Sequence, residues 1–148
     1  MQSYAFQTTK RIIFGWEKTS SLGEELRKLG SQVITIVTDQ GIIDSGICNK
    51  VEENLLSAGF QLNRFEEVEA DPRFEIAEKA AEHIKSHQSD TVIGLGGGSP
   101  LDIAKVASAR ATNEVSINSF FGPDQIPYPG LRTVLIPTTA GTGSEVTP

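Results

Sequence analysis

The feature that most constrains the fold of this chain is a run of seven residues, Gly96-Gly97-Gly98-Ser99-Pro100-Leu101-Asp102. The preceding residues 90–95 are apolar and β-branched, which is typical of a central parallel strand. Three glycines then let the backbone turn tightly and approach a ligand closely. Small and apolar residues recur after them at helical spacing. The segment therefore predicts a buried strand, a tight turn and a helix.

The start of that helix carries further signals. Ser99 is expected to be the N-cap, Pro100 suits the first helical position, and Asp102 at N3 can reach back toward the cap. The free N–H groups of such a helix point toward the glycines, and a phosphate fits there. The alternative is a glycine-rich turn that only connects the strand to the helix.

Strand and helix patterns alternate through the rest of the chain. Strands are predicted over residues 4–7, 11–15, 32–38, 60–65 and 131–136, and helices over 20–29, 47–58 and after Asp71-Pro72. In the last of these helices, Phe74, Ala77, Ala81 and Ile84 are expected to face the core. Trp16 is expected to pack at a strand end. The alternation favours an α/β fold with a mostly parallel sheet and helices on both faces.

Composition narrows the class of protein and of partner. The 148 residues suffice for one domain, and 38% hydrophobic with 22% charged residues is ordinary for a globular protein. The net charge is −6 and no basic cluster is present, so the chain offers no basic surface to a nucleic-acid backbone. Nucleic acid is therefore not expected as a partner. No apolar stretch approaches the roughly 20 residues of a membrane span, and no secretory signal opens the chain. The one cysteine, Cys48, cannot form an internal disulfide, and a cytoplasmic location is expected.

Polar loops follow three of the predicted strands. They lie at Asp39, at the three glycines, and at residues 138–145 with the sequence TTAGTGSE. In an open parallel sheet these loops share the carboxyl edge, where such folds bind ligands. Asp39 can accept hydrogen bonds from ribose hydroxyls while its charge repels a 2′-phosphate, which favours NAD over NADP; the alternative is an Asx-turn or helix cap. The third loop can wrap a pyrophosphate or an adenine edge, or be a polar connection only.

The motif order excludes two common nucleotide-binding signatures. In the ordinary Rossmann fingerprint an acidic residue follows the glycines by about 20 positions, whereas Asp39 precedes them. The spacing Gly94-x-Gly96-x-x-Ser99 also lacks the third glycine. No GxxxxGK[ST] motif is present, which disfavours a P-loop kinase or ATPase.

Two long motifs together resemble the N-terminal domain of the iron-containing alcohol dehydrogenase family. They are residues 96–105, GGGSPLDIAK, and residues 137–147, PTTAGTGSEVT, supported by Val37-Thr38-Asp39-Gln40-Gly41 and Ala70-Asp71-Pro72. The resemblance implies a Rossmann-like, dehydroquinate synthase-like NAD-binding domain over residues 1–148 and a homodimer. It implies hydride transfer between nicotinamide and a small alcohol or aldehyde. Glycerol dehydrogenases share the layout and are an alternative, although residues 138–145 favour the alcohol dehydrogenase branch.

The same resemblance assigns roles to individual residues. The residues expected to bind NAD are Asp39 at the adenosine ribose, Gly97, Gly98 and Ser99 at the pyrophosphate, Asp102 toward the nicotinamide, and Thr138, Thr139 and Thr142 at the adenosine and phosphates. Asp71 stands where the family often has Asn. A carboxylate there cannot donate the hydrogen bond that an amide donates.

The resemblance also implies a divalent metal, iron or zinc, that polarises the alcohol oxygen. Its ligands, one Asp and three His, are expected in a helical C-terminal domain outside this chain. The chain stops at Pro148 directly after a polar loop, so we expect it to be the front part of a longer protein and inactive alone. His83 and His87, spaced i,i+4, could hold a metal or favour a helix C-terminus. A stand-alone phosphate-ligand or nucleotide-binding module without catalysis is the alternative from another class.

Overall fold

The computed structural model describes residues 9–120, 122 and 125–147. A four-stranded parallel sheet with strand order β2-β1-β3-β4 forms its centre. The strands are β1 Val33–Val37, β2 Gln61–Phe65, β3 Thr91–Gly96 and β4 Arg132–Pro137. The helices are α1 Leu22–Leu29, α2 Gln40–Asp44, α3 Ile47–Ser57, α4 Phe74–Ser86 and α5 Gly98–Thr112, with 3₁₀ turns at Lys18–Ser21 and Ile117–Phe120. Within the described part of the chain, no helix is long and apolar enough to cross a membrane.

Helices cover both faces of the sheet. On one face, Ile34 and Ile36 of β1 share an apolar cluster with Leu26 of α1 and Leu55 of α3. On the other face, Val92 of β3 belongs to a second cluster that α4 and α5 complete. Successive strand residues point to opposite faces, so one buried strand serves both clusters. The predicted α/β architecture is thereby confirmed.

The pairing register aligns the carboxyl ends of the strands. Val37 at the end of β1 lies opposite Phe65 at the end of β2 and opposite Gly94 of β3. Gly96 at the end of β3 lies opposite Pro137 at the end of β4. The loops that follow all four strands therefore leave the same edge of the sheet.

Helix α5 approaches β3 closely at Gly94. A Cβ atom built on Gly94 would lie 2.9 Å from Cβ of Ala104, 2.9 Å from Cδ2 of Leu135 and 3.2 Å from Cα of Leu101. These separations are shorter than van der Waals contact, and a protein interior has little room to relax them. Packing, and not an unusual backbone angle, therefore requires glycine here.

The start of α5 differs from the prediction. Its N-cap is Gly97, which makes no side-chain cap hydrogen bond, so Ser99 is not the cap and Pro100 is the third helical residue. Asp102 falls in the second turn, where its Oδ1 lies 3.4 Å from Nζ of Lys105. Glycine lets the backbone enter the helix early, and Pro100 is tolerated because first-turn N–H groups have no partner within the helix.

The predicted strand over residues 11–15 is wrong, and the strand over residues 4–7 lies outside the described residues. No strand that the structure describes pairs with residues 11–15, and their apolar side chains lie in solvent. Phe14 is 96% exposed, and Trp16 is 98% exposed and does not pack at a strand end. Arg11 ties the segment to α1 through an ion pair with Glu25 at 2.7 Å.

Helix α4 follows its predicted pattern except at its first residue. Ala77, Ala81 and Ile84 are buried in the cluster shared with α5. Phe74 is 52% exposed, contrary to the prediction. Because α4 begins at Phe74, this side chain stands at the helix end, outside that cluster.

We expect Gly94→Ala to lower the free energy of unfolding by about 1–3 kcal/mol, because the added methyl group overpacks the contact between α5 and β3. Urea denaturation of both proteins measures the difference. Gly98→Ala is the matched control: its Cβ would lie 3.6 Å from the nearest atom, at an ordinary contact distance. Equal stability of wild type and Gly94→Ala would contradict this account of the helix position.

Candidate functional site

Three loops meet at the carboxyl edge of β1, β3 and β4. The amide of Thr138, after β4, donates a hydrogen bond of 2.9 Å to the carbonyl of Gly96, at the end of β3. Asp39, after β1, places its Oδ2 3.4 Å from the position of a Cβ on Gly96. The structure thus brings the three predicted loops together around one glycine.

The glycines leave space between the start of α5 and the loop of residues 138–147. A Cβ on Gly97 would lie 3.4 Å from Oγ1 of Thr139. A Cβ on Gly98 would lie 3.6 Å from Oγ of Ser144 and 3.9 Å from Cβ of Thr142. Side chains at these two positions would fill the gap, whereas glycine leaves the first-turn N–H groups of α5 open to an anion.

Gly96 is required for a different reason. Its φ is 148°, in a region that residues with side chains rarely adopt. A Cβ there would also lie 2.7 Å from Cγ of Pro100. This backbone turn aims the chain from the end of β3 directly into α5.

The two carboxylate oxygens of Asp39 have different surroundings. Oδ1 accepts a hydrogen bond of 3.0 Å from the amide of Ile42 and caps α2. Oδ2 faces Gly96 and accepts no hydrogen bond among the described residues. The predicted alternative of a helix cap is confirmed at one oxygen, and the other remains available to a ligand.

The hydroxyl of Thr138 is a buried polar group without a partner. Its Oγ1 is shielded from solvent and makes no hydrogen bond within the part of the chain that the structure describes. Buried polar groups are nearly always paired, and an unpaired one costs about 1–3 kcal/mol. The backbone of Thr138 is held by its bond to Gly96, so this residue lies next to the turn that leads into α5.

Polar contacts lie within the loop of residues 138–147 and also join it to α5. The hydroxyl of Thr142 donates to a carboxylate oxygen of Glu145. That hydrogen bond, with a smaller contribution from the charge of Lys105, lowers the pKa of the Glu145 carboxyl. Nζ of Lys105 donates to Oγ1 of Thr147 at 2.7 Å. Lys105 lies about one turn after Asp102 and closes the motif of residues 96–105.

Asp71 follows β2 and makes no contact with the three loops among the described residues. It is exposed, in the connection between β2 and α4, and its φ of 48° is left-handed. No hydrogen bond or ion pair between described residues joins it to Asp39, to the glycines or to residues 138–147. Its assignment to NAD stays a prediction.

Other candidate groups show packing roles. In the residues described, no group of three or more His, Cys, Asp and Glu side chains lies close enough to hold a metal ion. Nδ1 of His87 lies 2.8 Å from the carbonyl of His83, where the ring caps the end of α4. Cys48 is fully buried, and burial raises the pKa of its thiol to about 11, so it is not a poised nucleophile.

An open groove of about 560 Å³ lies elsewhere, along the outer edge of β2. Arg64 on its wall pairs with Glu52 at 3.2 Å and with Glu66 at 2.9 Å. Glu67 and His83 also line the groove, and Nε2 of His83 is buried without a hydrogen-bond partner among the described residues. With three carboxylates against one guanidinium the lining is acidic, which does not suit an anionic ligand. We therefore place the candidate functional site at the three loops and not at this groove.

Comparison with known proteins agrees with the two sequence motifs. The family model described as "Iron-containing alcohol dehydrogenase" matches residues 9–148. Sulfoacetaldehyde reductase of Bilophila wadsworthia is 34% identical over 145 residues, covering 98% of this chain and 38% of that protein. Long-chain-alcohol dehydrogenase 1 of Geobacillus thermodenitrificans is 36% identical over 146 residues, covering 93% of this chain and 37% of that protein.

Solved structures share the fold over nearly the whole chain. A crystal structure of 1,3-propanediol oxidoreductase matches with a TM-score of 0.93 and 30% identity, covering 99% of this chain and 38% of that one. Sulfoacetaldehyde reductase from Bifidobacterium kashiwanohense, in complex with NAD⁺, matches with a TM-score of 0.87 and 26% identity, covering 99% and 39%. The chain thus spans about two fifths of the length of these relatives. It belongs to the iron-containing alcohol dehydrogenase family.

Proposed function

We propose that this chain binds NAD(H) between its three loops and forms the cofactor-binding part of a dehydrogenase acting on a small alcohol or aldehyde. The observation that carries the proposal is the buried, unpartnered hydroxyl of Thr138, a residue whose amide bonds to Gly96 at the entry to α5. Membership of the family supports it, as does the NAD⁺ complex of the Bifidobacterium relative. The residues present fit a dinucleotide, because they offer N–H donors, hydroxyls and one acidic acceptor.

The start of α5 is the proposed pyrophosphate site. The first-turn amides of the helix, from Gly98 and Ser99, have no partner within the helix and donate to the phosphate oxygens. The positive end of the helix dipole adds to this attraction. Gly97 and Gly98 carry no side chain that would keep the phosphates away.

The flanking loops contact the two ends of the dinucleotide. Oδ2 of Asp39 accepts from the adenosine ribose hydroxyls, and its charge disfavours the 2′-phosphate of NADP. The hydroxyl of Thr138 donates to a phosphate or adenosine acceptor, with Thr139 and Thr142 beside it. Asp102, about one turn after Gly98 on α5, is assigned to the nicotinamide side.

Hydride transfer also needs the bound cofactor and a metal site, in addition to the contacts described above. Bound NAD⁺ supplies the hydride acceptor. The described residues do not supply a ligand set for iron or zinc, so we derive no step through a metal. A helical domain beyond these 148 residues is the expected site of the metal, and this chain alone is expected to bind NAD without turnover.

We expect Asp39→Gly to reduce the preference for NAD over NADP by about 10-fold, equivalent to about 1.4 kcal/mol, because the repulsion of the 2′-phosphate is lost. Isothermal titration calorimetry with both dinucleotides measures the ratio of the two dissociation constants. Asp39→Asn preserves the helix cap while removing the charge, so it should reduce the preference too and shows that the effect does not come from loss of the cap. An unchanged ratio in both variants would remove Asp39 from this role.

We expect Thr138→Val to weaken NAD binding by about 3- to 10-fold while the free energy of unfolding stays equal or rises by up to about 1 kcal/mol. The reason is that the hydroxyl lacks a partner until the dinucleotide binds. Thr133→Val is the control, because Thr133 is within β4 and its hydroxyl already has partners. It lies 2.8 Å from the hydroxyl of Ser108 and 3.0 Å from the carbonyl of Leu131. That variant should lose stability and keep its NAD affinity. The reverse pattern would contradict the proposal.

A homodimer is the expected assembly, and the exposed apolar residues before α1 are the proposed contact. Ile12 is 64% exposed, beside the fully exposed Phe14 and Trp16. Large exposed apolar residues close together in the sequence support an interaction site here.

We expect wild type to be dimeric and the double variant Phe14→Ser and Trp16→Ser to be monomeric, as measured by light scattering coupled to size exclusion. Leu56→Ser, at a residue 58% exposed on α3, should stay dimeric, and a monomeric wild type would refute the contact.

A further inference from the structure

Strand β2 lies at one edge of the sheet, and no strand that the structure describes pairs with its outer side. On its inner side, the amide of Gln61 and the carbonyl of Phe65 form hydrogen bonds of 3.1 and 3.0 Å to the residues that flank β1. In a parallel strand, the N–H and C=O of successive residues point alternately to the two sides. Those of Leu62 and Arg64 therefore point outward, and no described residue hydrogen-bonds to them.

These outward-facing residues lie along the groove beside β2. Leu62 and Arg64 line it together with Leu56 of α3, which is 58% exposed, and His83 of α4. The ring of His83 packs edge-on against Phe65, with ring centroids 5.8 Å apart. Burial lowers the pKa of His83, so its ring adds no charge at neutral pH. The groove is thus an open sheet edge between two helices, which is a template for a further strand.

The groove carries an excess of negative charge. Glu52 of α3 and Glu66 after β2 share one cation, Arg64, at 3.2 and 2.9 Å. Glu67 has a partner of its own, because Nζ of Lys79 lies 3.0 Å from its carboxylate. One carboxylate charge in the groove is therefore uncompensated. Lys or Arg side chains complement this charge, and their aliphatic stems can cover the exposed leucine of α3.

We propose that the groove beside β2 is a docking site for an extended basic segment of a partner protein, which adds to the sheet as a strand next to β2. The segment's backbone bonds to Leu62 and Arg64, and its cationic side chains reach Glu52 and Glu66. A second copy of this chain fits less well, because it would bring the same excess of carboxylates to the contact. The inference goes beyond the proposed NAD function and uses none of the residues assigned to it.

Amide hydrogen exchange of the whole 148-residue chain, followed by NMR, tests the strand pairing. In the free chain we expect fast exchange at Leu62 and Arg64 and slow exchange at Asn63 and Phe65, whose amides face β1. The probe is the peptide acetyl-Lys-Val-Lys-Val-Lys-Val-Lys-amide. At about 10 times its dissociation constant it should slow exchange at Leu62 and Arg64 by about 10-fold, with Asn63 and Phe65 unchanged.

Fluorescence polarisation of the labelled peptide tests the role of charge. We expect Glu52→Gln to weaken binding about 2- to 5-fold at low salt, because a countercharge of the lysines is lost. Glu53→Gln is the matched control: Glu53 is the next residue on α3, is exposed and does not line the groove, so binding should be unchanged. A peptide with Pro in place of each Val keeps the lysines but cannot pair as a strand, and should bind at least about 10-fold more weakly.

Several results would overturn the proposal. Slow exchange at Leu62 and Arg64 in the free chain would show that the edge is already covered, by another part of this chain or, where protection grows with protein concentration, by a second copy. Equal binding of the Pro peptide would exclude strand addition. Equal affinity of Glu52→Gln and wild type, with the fold of both confirmed by thermal unfolding, would exclude the groove charges. Absence of saturable binding of the Lys-Val peptide up to about 1 mM would exclude the site.

Discussion

The contact between α5 and β3 at Gly94 is the constraint on which the rest of the structure depends. The side-chain position of Gly94 lies between Ala104 of α5 and Leu135 of β4, and a hydrogen atom there lets the helix lie directly on the strand. The turn at Gly96 then starts α5 at the carboxyl edge of the sheet. Because β1 and β4 flank β3 in register, their loops reach the same helix start. The cleft is thus a consequence of one close packing contact in a parallel sheet.

Local geometry explains how an acidic protein offers an anion site. The net charge is −6, yet backbone N–H groups and a helix dipole attract an anion regardless of the total charge. The carboxylates around the cleft are each held by a specific partner: Asp39 by the amide of Ile42, Asp102 by Lys105, and Glu145 by the hydroxyl of Thr142. The direction of the backbone N–H groups therefore determines where an anion can bind. The nearby carboxylates are held in place by their own partners.

The architecture was predictable because it depends on patterns that are local in the sequence. Alternating apolar strands and amphipathic helices indicated a parallel sheet, and that topology alone brought the loops at Asp39, the glycines and Thr138 to one edge. The start of α5 was missed by two residues, because consecutive glycines leave no side chain to mark an N-cap. Residues 11–15 were misassigned because their β-branched pattern does not reveal whether a partner strand exists. The contact of Lys105 with Thr147, 42 residues apart, needs the tertiary structure.

The central claim is that the three loops form one dinucleotide cleft, and an NMR titration of ¹⁵N-labelled chain with NAD⁺ tests it most directly. The account predicts shifts that saturate together at the amides of Gly97, Gly98 and Thr138, with Arg64 and Glu66 in the groove beside β2 unchanged. Shifts confined to the groove beside β2, or no saturable shift at any of these amides, would contradict it.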